Sequence, residues 1–205
     1  MSERILIPGG GGLDLSAFRH AGTSPFESWY LAGAVGAAAT GSTITAVVNT
    51  FYAVPFASGR GGTLDRMAIE ATSFTNVNMK LRFGIYNDSN IYPDQKVFGS
   101  AEFVGGSNGI KSENISQVLL PNKLYWFTLL TGGSGGNPVV RAPGGSNGTA
   151  YPVLGYDSGT NQAMRQALSA SQSYGVLPTT FPGSPTFILT GAAFPMLIVR
   201  YSAYP

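Results

Sequence analysis

The stretch Asn78-Met79-Lys80-Leu81-Arg82-Phe83-Gly84-Ile85-Tyr86-Asn87 alternates Met, Leu, Phe and Ile with Lys, Arg, Gly and Tyr. Alternation of period two puts the two sets on opposite faces of an extended chain, so this is a half-buried β-strand with one apolar and one wet face. The turn formers Asn87-Asp88-Ser89-Asn90 close it. Residues 123–130 read differently. Tyr125, Phe127 and Leu129 occupy one face, and Leu124, Trp126 and Leu130 the other. Both faces need cover, as in a central strand or one at a subunit contact, and Leu124, Trp126 and Leu130 are the candidate contact residues.

Working outward, β-branched and aromatic stretches separated by turn clusters predict further strands over residues 43–54, 63–72, 96–104, 113–119, 138–141, 164–170 and 194–202. Residues 161–171 fit a helix or a strand; the alternation of Met164, Gln166, Leu168 and Ala170 favours the strand. The pentapeptide Gly-Gly-Ser-Asn-Gly occurs at 105–109 and again at 144–148. No similarity extends beyond it, so both copies are read as turn chemistry rather than a repeat.

Composition agrees with an all-β chain. The 28 Gly and 13 Pro of 205 residues call for many turns, while 43% hydrophobic and 12% aromatic content argues for a packed core. Charged residues are only 11% and the net charge is +2, too weak a field to gather phosphates or anionic lipid, so neither nucleic acid nor membrane is an expected partner. With no cysteine, disulfides, thiolate metal sites and Cys nucleophiles are excluded. The apolar run Ile5-Leu6-Ile7 before Pro8 is too short for a secretory or spanning segment, and retention in the cytoplasm of the producing cell is expected.

Residues 1–43 are set apart from the strand-rich 44–205 by the run Gly9-Gly10-Gly11-Gly12 and the Gly/Ala-rich stretch 33–41. They read as an extended N-terminal arm. Its large apolar groups, Phe18, Phe26, Trp29, Tyr30 and Leu31, would each cost roughly 1.5–3 kcal/mol if left in water, which marks them as docking residues.

No motif in the chain carries chemistry convincingly. Gly132-Gly133-Ser134-Gly135-Gly136 satisfies the spacing of a nucleophile elbow, but Asn137-Pro138 follows it where a helix is needed, and the sole histidine, His20, lies upstream. The ten acids show no paired spacing suited to glycoside hydrolysis. One histidine and no cysteine leave no ordinary zinc site, and Asn87-Asp88-Ser89-Asn90 with Asp94 reads as a turn rather than a calcium loop. No nucleotide-binding glycine motif is present, so no cofactor and no metal are expected. Tyr86, Tyr92, Tyr151, Tyr156 and Tyr174 lie in or beside expected loops, where their rings would suit either sugar stacking or an interface.

The run Leu81-Arg82-Phe83-Gly84-Ile85-Tyr86-Asn87-Asp88 followed by Tyr92-Pro93 resembles a strand-and-turn signature of jelly-roll modules in tailed-phage structural proteins. Further fragments agree in order: Tyr52-Ala53-Val54-Pro55-Phe56, Leu64-Asp65-Arg66-Met67-Ala68-Ile69-Glu70, Ile115-Ser116-Gln117, Leu124-Tyr125-Trp126, Gly175-Val176-Leu177-Pro178 and Met196-Leu197-Ile198-Val199-Arg200. The resemblance spans about residues 50–205 and omits the arm. Where related modules place Pro-Gly before Tyr-Trp, this chain has Pro121-Asn122-Lys123-Leu124, with Asn able to adopt the same left-handed conformation.

The resemblance implies a jelly-roll β-sandwich of eight or more antiparallel strands in a non-enzymatic virion protein. The first expectation is a capsid decoration, or cement, protein: a homotrimer on the virion surface, assembled in the host cytoplasm, whose arm grips the major capsid protein. The alternative is a receptor-binding tail-fibre tip or adhesin that recognises host carbohydrate through the loop tyrosines.

Overall fold

The computed structural model describes residues 29–31, 42–58, 61–142, 165–189 and 193–203. Among them the chain is all β, with thirteen strands: β1 (Trp29–Leu31), β2 (Ser42–Thr45), β3 (Thr50–Ala57), β4 (Gly62–Ser73), β5 (Lys80–Ser89), β6 (Tyr92–Gly99), β7 (Phe103–Val104), β8 (Gly109–Leu119), β9 (Leu124–Gly132), β10 (Val139–Ala142), β11 (Arg165–Ser171), β12 (Thr186–Leu189) and β13 (Leu197–Ala203). They form two antiparallel sheets. One runs β1-β13-β4-β10-β2, with β8 on the other side of β4; the other runs β12-β11-β3-β9-β5-β6, with β7 also paired to β5. The chain passes repeatedly from one sheet to the other, so successive strands face each other across the core.

Alternation explains that core. Leu81, Phe83 and Ile85 of β5 meet Tyr52, Val54 and Phe56 of β3 and Tyr125, Phe127 and Leu129 of β9, and the opposing sheet supplies Leu64, Met67, Ile69, Leu197 and Val199. Phe56 stacks on Phe127 with centroids 4.5 Å apart, and Phe83 on Phe103 at 5.1 Å.

Several expectations need correction. Residues 43–54 are two strands in different sheets: Asn49 takes a left-handed conformation (φ 58°), and the turn closes with Thr50 N–H donating to Val47 O. The expected strand over 96–104 is interrupted at Ser100, whose hydroxyl accepts from Phe83 N–H at 2.9 Å while its own N–H donates to Phe83 O, so one residue replaces a rung of the ladder. Strand β8 begins at Gly109, four residues earlier than expected, and the short β12 between Pro185 and Thr190 was not anticipated. The strand favoured over residues 164–170, by contrast, is present as Arg165–Ser171.

Turn chemistry follows the residues. Asn122 is left-handed (φ 55°), as its place before Tyr125-Trp126 requires. In the first Gly-Gly-Ser-Asn-Gly copy the positive φ values fall on Gly106 and Gly109, and Asn108 instead accepts Phe74 N–H through its side chain at 2.8 Å. The second copy lies outside the described residues.

Candidate functional site

The two outer faces of the sandwich decide what is available for recognition. On the β3-β9-β5 sheet, Phe51, Ala53, Tyr86, Trp126, Leu130, Leu168 and Ala170 form a second apolar layer. It is covered by the chain itself. Residues 172–185, between β11 and β12, cross that face as a strap that sets Leu177 and Phe181 into the layer. Phe181 stacks on Phe51 at 4.8 Å and meets Tyr86 edge-on at 5.9 Å.

Glycines make the strap fit. A Cβ on Gly132 would collide with the Tyr174 ring, and one on Gly84 would lie 2.7 Å from Leu177 Cδ1, so both side chains rest on bare backbone. Polar groups fasten the length of the strap: Tyr174 N–H to Asn49 Oδ1 at 3.0 Å, Lys96 Nζ to Leu177 O at 2.6 Å, Tyr86 Oη to Pro178 O at 2.6 Å and Phe181 N–H to Asp94 O at 2.9 Å.

This answers the two-sided pattern of residues 123–130. Trp126 and Leu130 are fully buried within one chain and offer no surface to a sister chain; Leu124 is partly buried against the same layer. Of the residues expected at a subunit contact, Trp126 and Leu130 are thus packed within the chain under the cover that the strap supplies, and Leu124 is partly covered. The strap carried no strand pattern, so the sequence signal that could have found it was only the apolar spacing of Tyr174, Leu177 and Phe181 among turn residues.

The tyrosines separate in the same way. Tyr86 is fully buried and donates to the strap, and burial pushes its hydroxyl well above the ordinary phenol range. The Tyr174 hydroxyl is buried near Glu102 and Arg82, and its pKa is raised, first by burial and then by the Glu102 charge. Tyr86 presents no ring face for a sugar, while Tyr174 is partly buried with its ring laid on Gly132. Tyr92 is 39% exposed and sits 5.8 Å from the Phe187 ring, the most exposed of the five among the described residues. Tyr151 and Tyr156 lie outside those residues, as do the arm residues Phe18 and Phe26. Trp29, Tyr30 and Leu31 form β1, whose backbone pairs antiparallel with β13 in the register Trp29 to Arg200 and Leu31 to Ile198.

Each described carboxylate has a structural partner. Asp65 holds Arg200 through two bonds at 2.9 and 2.6 Å, and Glu70 holds Arg141 at 2.9 and 2.7 Å. Hydrogen bonding to Glu70 raises the Arg141 pKa further. Glu102 pairs with Lys80 at 3.0 Å, and that bond holds its carboxyl below the usual range. Glu113 accepts Ala101 N–H at 2.8 Å, and Asp94 accepts from Gln95 at 3.2 Å. Asp88, the centre of the candidate calcium turn, accepts the Trp126 indole N–H at 2.8 Å and Ile91 N–H at 3.3 Å. Among the described residues no group of three or more metal-ligating side chains converges, and no helix is long and apolar enough to cross a membrane.

Compared with known proteins, the chain matches no family model and no curated protein.

Proposed function

We propose that this chain is a non-enzymatic structural protein of a tailed-phage virion, a capsid decoration protein that binds the outer surface of the head as a homotrimer. The observation that supports it is strand order. Within the larger sheets, β2-β10-β4-β8 faces β3-β9-β5-β6. Numbered along the chain, these eight strands are read here as a jelly roll, two interleaved Greek keys, an architecture used by viral capsid and lectin domains. Strands β11, β12, β13 and β1 are then additions at its margins.

In this reading, residues 1–43 are an arm tethered to the body by β1, and the segment before Trp29 reaches the major capsid protein. Phe18 and Phe26 of the Gly-rich arm supply apolar contacts to the shell, whose symmetry compensates weak single contacts through many linked ones. With Trp126 and Leu130 buried under the strap, trimer contacts use other surfaces.

The test is copy number and location on purified particles, by quantitative mass spectrometry and gold labelling. Hundreds of copies over the head would support decoration; a handful at the tail would replace it with the adhesin reading, for which Tyr92 beside Phe187 is the described starting point. Removing residues 1–28, which leaves β1 in place, should abolish capsid binding without unfolding the body. Undiminished binding would refute the role given to the arm.

A further inference from the structure

Strand β8 is the longest open sheet edge among the described residues. Its eleven residues pair with β4 on one side, and among the described residues nothing pairs with the other. An edge of this kind offers a row of unpaired N–H and C=O groups, which proteins blunt by shortness, proline, charge or a bulge, and β8 has of these only the irregularity between Asn114 and Gln117 and the inward charges Lys111 and Glu113. The remaining sheet edges are blunted by shortness, or by proline and charge. β1, β2, β7 and β12 have three, four, two and four residues, and β6 carries Pro93 and Lys96. On β8 the solvent-facing residues are Ile110, Ser112, Asn114, Ser116 and Val118, without proline and without charge. Ile110 is 61% and Val118 58% exposed.

That outward row is nearly a palindrome about Asn114. Laid antiparallel against a copy of itself with Asn114 opposite Asn114, Ile110 meets Val118, Ser112 meets Ser116, and no like charges stand opposite one another, since Lys111 faces Gln117 and Glu113 faces Ile115. Apolar pairs at both ends and polar pairs between them are what a two-fold contact requires, because the same patch must complement itself. The inward–outward alternation of β8 continues unbroken from Gly109 to Val118 across the register shift against β4. Lys111 and Glu113 point inward and are already engaged, with Ser107 at 3.1 Å and the Ala101 amide at 2.8 Å, so they leave the edge free of competing charge.

We propose that the β8 edge binds a second copy of this chain, joining two sandwiches into one continuous sheet across a two-fold axis at Asn114. The inference does not rest on the virion reading, since two copies of the isolated chain suffice. A contact of this symmetry closes after two copies, so within a trimeric assembly it links one trimer to the next.

The natural absence of cysteine makes the test direct. Directly opposite residues of an antiparallel pair have Cα atoms about 4.5–5.5 Å apart, within the span of a disulfide. Asn114→Cys should therefore oxidise to a covalent dimer in dilute solution, as should a mixture of Ile110→Cys with Val118→Cys. Ser112→Cys, equally exposed but about 13 Å from its own counterpart at roughly 3.3 Å per residue, should not. Sedimentation supplies a second arm: Asn114→Lys, which sets two positive charges opposite each other, should halve the apparent mass of the native protein. Monomeric native protein, or cross-linking of Ser112→Cys as readily as Asn114→Cys, would overturn the proposal. Neither outcome bears on particle location, so it fails separately from the decoration role.

Discussion

The two outer faces of this sandwich solve the same problem in opposite ways. Over β3, β9 and β5 the outward residues include Phe51, Trp126 and Leu130, and the strap buries them. Over β4, β13 and β10 the outward residues include Asp65, Arg66, Glu70, Arg141 and Arg200, which pair among themselves and with Asn114 and stay partly in solvent. Burial of apolar area supports the first face and charge-assisted hydrogen bonds tie together the second. The first should therefore dominate stability, and the second should mainly hold register between strands.

Trp126→Ala breaks the comparison most severely. It opens a cavity between sheet and strap and removes the donor to Asp88, with an expected loss of about 3–5 kcal/mol in urea unfolding. A loss below about 1 kcal/mol would mean that the covered face contributes little.

Gly132→Ala attacks the strap alone. The new Cβ would displace the Tyr174 ring from bare backbone, at an expected cost of about 1–3 kcal/mol. Hydrogen exchange should rise in residues 172–185 before it rises in β4 or β13. Uniform acceleration throughout the sandwich would show that the strap is not a separable layer.

Alkaline pH probes the same face. Folded Tyr86 and Tyr174 have pKa values raised by burial, whereas an unfolded phenol titrates near pH 10. The folded state thus holds protons that the unfolded state releases, so stability is intact below about pH 10 and falls above it. Phenolate absorbance of these two tyrosines should appear together with loss of β-structure in circular dichroism. Their titration in an intact fold would contradict the burial of the Tyr86 and Tyr174 hydroxyls between the sheet and the strap.

The smallest effect is expected on the polar face. Asp65→Asn removes one carboxylate charge from a partly exposed pair and should cost about 0.2–1 kcal/mol, less in high salt. A loss comparable to that of Trp126→Ala would reverse the ranking of the two faces.

Much of this was legible in the residues. Alternation at Met79, Leu81, Phe83 and Ile85 located β5 and its buried face, because a strand facing one core and one solvent must write that difference every second residue. The excess of glycine and proline indicated short strands and many turns. Asn122 could be assigned its left-handed turn in advance, since few residues tolerate that backbone. The break at Asn49 was missed for a related reason: a β-branched run on either side of one turn reads as a single strand unless the turn residue is given priority.

The candidate sites were less legible. Tyr86 and Tyr174 sit beside turns and look available for stacking, yet their exposure depends on what lies above them. The apolar excess of residues 123–130 established that a second cover exists without saying whether it comes from the same chain. By itself, then, the sequence determined strand identity, turn positions and the need to bury both faces of β9, because these follow from local periodicity and backbone preference. Only the tertiary structure decided that residues 172–185 provide the cover, that Tyr92 remains in solvent while Tyr86 does not, and that β8 is left as the long open edge. Those outcomes depend on contacts between distant segments, 92 residues apart for Tyr86 and Pro178 and 125 for Asn49 and Tyr174, and no local pattern encodes such a pairing.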